Sequence, residues 1–164
     1  MLRKVVILIS LLLLAPLAVR PQSDAPKLPE ALSEAESRAI LKEQGVKSHV
    51  EAALKLAEAK LTEANKIAQA GGYELAVKNL NLFAALVVYG DAYARRLPAN
   101  EYKERNKCLK VLEQFIFKQQ RPVEIVRRDL PFNYREETDA RIETLKRIRL
   151  RALDDVLGGG KMIK

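Results

Sequence analysis

The chain has one cysteine, one histidine and no tryptophan in 164 residues; five tyrosines and four phenylalanines are its other aromatics. Each scarcity excludes something. A lone cysteine, Cys108, rules out an intrachain disulfide in any redox compartment. A lone histidine, His49, rules out metal sites built on two imidazoles and acid-base schemes that use several. Strand-like alternation and low-complexity segments are also missing. The GGGK at 158–161 does not make a phosphate loop, because no strand precedes it and Met162 stands where Ser or Thr is needed. It reads as a helix cap and tail. The expectation is a chain with no catalytic, cofactor-binding or metal-binding residues.

What is present begins at the N-terminus. Arg3 and Lys4 precede an apolar run from Val5 to Val19, broken by Ser10 and Pro16 and followed by a polar stretch. Fifteen helical residues reach ~22 Å against a hydrocarbon core of ~30 Å, which favours a cleaved secretory signal over a spanning helix. An uncleaved anchor is the alternative, with membrane association only in that case, and the cut falls either after Ala18 or near Ser23 to Ala25. Residues 1–23 are thus assigned to the signal or anchor, 24–29 to a proline-rich linker, 30–158 to one helical domain and 159–164 to a flexible tail. About 140 mature residues suffice for a core without staples. The signal carries three of the eight net positive charges, and all of the remaining excess lies after Asn100.

The rest has helical period with clear punctuation. Helix A is expected from Glu30 to Gln44, ending on a left-handed Gly45. Ser48 and Glu51 have capping-box spacing for helix B, which reaches Ala70 before Gly71 and Gly72. Helix C runs from Tyr73 to Arg96, with Pro98 beyond it. Asn100 caps helix D to Gln120, and Pro122 opens a short separate helix ending before Pro131. Asn133 and Glu136 suggest a second capping box for helix E, which reaches Leu157. Helix B places Val50, Ala53, Leu54, Ala57, Leu61, Ala64 and Ala68 on one face. Helix C is apolar almost all round, the pattern of a central helix. The fold class expected is all-α, an antiparallel bundle of four to five main helices.

The B to C junction, IAQAGGYELAVKNLNLF, resembles the hairpin turn of a tetratricopeptide repeat in Gly72, Tyr73 and Ala76. The resemblance covers one hairpin, about residues 50–88. The family's tryptophan and its Leu-Gly pair are missing, Leu80 replaces an aromatic, and no second copy recurs at 34 residues. It implies a TPR-like hairpin within the bundle and, through it, a peptide-binding role. Tyr73, Tyr89 and Tyr93 are the expected partner surface.

RIETLKRIRLRALDD, residues 141–155, holds five basic side chains. On a helical wheel its outer arc is balanced: Glu143 sits four residues before Arg147, and Arg151 four before Asp155, pairs worth ~0.2–0.5 kcal/mol each. Uncompensated cations with aromatics for stacking, the marks of a nucleic-acid surface, are missing, so no nucleic acid is expected. Arg149 instead falls inside the apolar arc with Leu145, Ile148, Ala152, Leu153, Val156 and Leu157. A guanidinium there must snorkel, meet a carboxylate or face a groove holding an anion. Asp91 on helix C is the expected partner, and Arg141, Lys146 and Arg149 with Asp91 form the candidate ion-pair or anion site. His49 is expected to be exposed at the start of helix B, and Cys108 to be a small core hydrophobe. The sequence therefore predicts an exported, periplasmic or extracellular, non-enzymatic protein that serves as a protein-interaction or structural module of the cell envelope. The alternative is a binder of a small anion or envelope polyanion through the last helix.

Overall fold

The computed structural model describes residues 26–158, so the expected signal, its cleavage site and the tail at 159–164 lie outside the described residues. Five helices carry the chain: α1 (Glu34–Leu41), α2 (Val46–Gln69), α3 (Tyr73–Arg95), α4 (Tyr102–Asp129) and α5 (Phe132–Gly158). There is no strand among the described residues, and the fold is an all-α bundle. Helix α3 touches α2, α4 and α5, while α1 packs on α2 alone. Its apolar circumference is what that central position requires. It is also the one described helix long and apolar enough to cross a membrane, and most of that stretch is buried inside the bundle.

The stripe expected on α2 is buried in full, from Val50 through Ala53, Leu54, Ala57, Leu61 and Ala64 to Ala68. Four of those seven positions are alanine, so α3 can approach closely. The α2–α3 turn explains its two glycines: Gly71 N–H donates to the Ala68 carbonyl and Gly72 N–H to that of Ile67, each at 3.0 Å. This doubly bonded helix end places Gly71 at φ +83°, a left-handed conformation that a side chain disfavours. A Cβ on Gly72 would come within 2.8 Å of Ile67 Cγ2.

Several helix ends differ from expectation. α1 is shorter at both ends, because a capping box of Ser33 and Glu36 starts it after the Pro29 turn. Gly45 has φ −81° and begins α2, rather than closing α1 in a left-handed cap. Ser48 and Glu51 form no capping box: Ser48 already lies inside α2, where its hydroxyl donates to the Gly45 carbonyl at 2.9 Å. α4 is continuous through Pro122. Proline forfeits one helical N–H bond and costs ~3 kcal/mol in a helix interior. Burial of Leu112, Ile116, Gln119, Val123 and Val126 along one face, on both sides of the ring, holds the helix together across it. α5 starts at Phe132, ahead of Asn133, with Tyr134 N–H donating to the Pro131 carbonyl. Arg135 Nε, reaching back to the Leu130 carbonyl at 3.0 Å, ties the start of α5 to the end of α4.

Candidate functional site

One side of α3 is left uncovered by the described residues. Leu75, Leu82, Ala85, Val88 and Ala92 recur at helical spacing along it and floor a groove of about 960 Å³. Leu75 is 53% exposed and Val88 43%, well above the fully buried residues on the opposite side of the helix. One wall is the non-helical segment before α1, from Pro26 to Ala31; the other is the α5 edge at Arg141 and Thr144. Lys27, Lys78 and Arg141 outnumber Glu30 among the lining residues, with Arg141 also 4.0 Å from Glu137. Lys78 meets Glu74 at 3.0 Å and is largely exposed. Arg141 Nε donates to Asn81 Oδ1 at 2.9 Å, and Asn81 Nδ2 to Glu137 Oε1 at 2.6 Å, which fixes the α5 wall to α3.

Tyr89 lines the same groove but points its hydroxyl inward. His49, expected to be exposed, is 3% exposed. It lies one turn before Ala53, at the edge of the α2 stripe, and α3 covers it. His49 Nδ1 lies 3.2 Å from the Glu43 carbonyl, which only accepts, so Nδ1 carries the hydrogen. Nε2 is then the acceptor for the Tyr89 hydroxyl at 2.6 Å. The imidazole stacks on Tyr93, with centroids 3.9 Å apart and planes 6° apart. The Arg96 guanidinium lies 3.5 Å from the same Tyr93 centroid. Two groups so close to one ring cannot share a face without overlapping, so Tyr93 is sandwiched between His49 and Arg96. Burial pushes His49 below its usual 6.5, and Arg96 adds to that, against the opposing pull of Glu43. Burial raises the Tyr89 phenol to about 12, which keeps it a donor.

A second polar cluster joins α3 to α5. Buried Asp91 accepts from Arg95 Nε at 2.8 Å and also pairs with Arg151; Arg95 Nη1 reaches Asp155 at 2.5 Å. Two carboxylates and two guanidinia therefore alternate. The partner expected for Asp91 was Arg149, and that pairing is corrected: Arg149 Nε meets Glu113 of α4 at 2.9 Å and its guanidinium lies 4.6 Å from the Phe117 ring. Angular position put Asp91 and α5 in the right sectors but not at the right height, and Arg151 is the residue level with Asp91. The outer-arc pairs are corrected with it. Arg151 takes Asp91 rather than Asp155, and Glu143 takes Lys146 at 2.7 Å while Arg147 turns to the Thr144 hydroxyl.

The candidate cations are not brought together. Arg141 lines the α3 groove, Lys146 lines a separate cleft of about 310 Å³ between α3, α4 and α5, and Arg149 is engaged with Glu113. Of the three tyrosines expected at a partner surface, Tyr89 and Tyr93 are buried, a correction that follows from their packing against His49, and only an edge of Tyr89 reaches the groove lining. Tyr73 is half-buried at the α2–α3 turn, 6.3 Å from the Tyr134 ring. Leu157, expected inside, is 67% exposed. Cys108 is fully buried, and burial raises its thiol to about 11. No cluster of three or more His, Cys, Asp or Glu side chains suited to a metal occurs among the described residues.

Sequence reasoning places the contact surface on the B–C hairpin but on Tyr73, Tyr89 and Tyr93. It misses the aliphatic stripe of Leu75, Leu82, Ala85, Val88 and Ala92 because a helix apolar almost all round gives no sign of which side is left open. The available signal was the count of neighbours: a helix apolar all round in a bundle this small has one side left over. Comparison with protein-family models, curated proteins and solved structures finds no match to this chain.

Proposed function

We propose that the chain is an exported, non-enzymatic interaction module that receives an amphipathic helix of a partner protein in the α3 groove. The observation that carries this reading is the unpartnered stripe of Leu75, Leu82, Ala85, Val88 and Ala92. Five apolar positions over some 17 residues match the apolar face of a helix about 26 Å long at 1.5 Å per residue. The cation excess on the rim favours a partner whose apolar face is flanked by Asp or Glu, since complementary rims set specificity and association rate. Export, to the periplasm or outside the cell, is supported by the basic, apolar and polar succession of residues 1–23. The non-enzymatic reading rests on the absence of any catalytic motif in the sequence.

Two synthetic helical peptides with the same leucine stripe, one flanked by glutamates and one by lysines, test this by fluorescence anisotropy. The acidic peptide is expected to bind at least about fivefold more tightly at low salt, with the margin shrinking as salt rises. Val88→Asp should abolish binding of both, and a Lys78→Glu/Arg141→Glu double variant should reverse the preference. Binding of neither peptide, or binding indifferent to Val88→Asp, would overturn the reading.

A further inference from the structure

The groove and the buried histidine share a residue. Tyr89 contributes its ring to the groove lining and its hydroxyl to His49. His49 in turn holds the Glu43 carbonyl, so one imidazole ties the α1–α2 joint to the wall of the groove. We propose that His49 is a pH-sensitive latch on the α3 groove: protonation at Nε2 reverses the Tyr89 bond and displaces its hydroxyl hydrogen, sets a cation against Arg96 and loosens the α1–α2 joint from α3. This deepens the groove reading by assigning the regulation of that site, and it rests on that reading for its purpose.

While His49 is neutral, both of its nitrogens are satisfied, one donating and one accepting. A proton on Nε2 turns the acceptor into a donor. The Tyr89 hydroxyl must then swing its own hydrogen away, and His49 is its hydrogen-bond partner among the described residues. The added charge, on a buried imidazole, lies across a single tyrosine ring from the guanidinium of the exposed Arg96, which repels it. The groups facing His49 are Tyr89, Tyr93 and Arg96 from α3 and Glu43 from the joint before α2. On the side toward α4, Glu104 with Lys47 and Glu51 of α2 surround Cys108 instead. The one favourable charge is Glu43; burial and Arg96 oppose the cation. Protonation is therefore accommodated by opening, and the segment least tied down is α1, which packs on α2 alone.

The test needs no partner. The His49 Cε1–H resonance is titrated from pH 7.5 to 5.0, and amide hydrogen exchange is read over the same range as protection factors, which removes the intrinsic pH dependence of exchange. In the wild-type protein, protection at residues 43–50 and 86–93 is expected to fall about tenfold or more, in step with the His49 resonance. In His49→Asn it should change by less than about twofold over the same range. Tyr89→Phe, which has no hydroxyl hydrogen to displace, should show a smaller fall than wild type. Protection that stays flat while His49 titrates near 6.5 would sink the latch, and so would an identical fall in His49→Asn. Should His49→Asn fail to fold, the wild-type and Tyr89→Phe titrations decide between the same outcomes. Loss of peptide binding at pH 7.5 sinks the groove and leaves the latch standing, whereas flat protection with intact peptide binding sinks the latch alone.

Discussion

The last two turns of α3 carry two partly buried polar clusters that solve the same problem differently. Toward α2, His49, Tyr89 and Tyr93 are hydrogen-bonded and stacked, with the one charge, Arg96, on the exposed side of the Tyr93 ring. Toward α5, Asp91, Arg95, Arg151 and Asp155 are all ionised and alternate in sign. A neutral cluster is cheap to bury and is upset by a single proton. An ionic cluster leaves an uncompensated charge when one member is removed. Gly90 stands between the two, facing Val50, Leu54 and Leu112.

The largest effect is expected from Asp91→Ala, which removes the buried carboxylate shared by Arg95 and Arg151 and leaves Arg95 with Asp155 alone, in a site where one of its nitrogens already has no partner. A loss of about 3 kcal/mol in guanidinium unfolding would fit a buried ion-pair partner. Arg151→Ala should lose far less, under about 1 kcal/mol, because that side chain is 57% exposed. Equal losses for the two would mean that Asp91 is not the centre of its cluster. Next comes Tyr89→Phe, which leaves His49 Nε2 buried without a donor and should lose about 1–2 kcal/mol at pH 7.5. The His49 cluster should also carry a pH dependence of its own. Because the folded state holds His49 below its usual 6.5, the stability that comes from keeping it neutral is complete above that value. It is lost as pH falls from there toward the folded-state value, and His49→Asn should remove this component of the pH dependence. Gly90→Ala should stabilise by about 0.5–1 kcal/mol, since the added methyl would meet its nearest neighbours at 3.7–3.8 Å, an ordinary contact. Smallest is Val88→Asp, expected to shift stability by no more than about 0.5 kcal/mol while eliminating peptide binding. A collapse in stability would show Val88 to be core rather than groove.

How much was legible in the sequence follows from the range of each interaction. The α2 stripe was, because seven residues with one period need no knowledge of the partner helix. The Gly71–Gly72 turn was too, since its bonds close within six residues. His49 was not: it contacts Tyr89 across 40 positions, and only its place one turn before Ala53 hinted at burial. Arg149 showed the same limit, with its sector correct and its partner wrong, because a helical wheel discards height along the axis. The break at Pro122 failed for another reason. Local propensity argued for two helices, and packing on both sides of the ring outweighed it.

Cys108 gives the molecule a built-in clock. The thiol is unique, sealed in the core and too weakly acidic to react near neutral pH, so an alkylating reagent reaches it only when the helices part. In excess reagent the rate at which native protein gains one adduct then reports how often the bundle comes open. Every variant described above can be ranked that way with no engineered label, down to the slowest openings the chain makes.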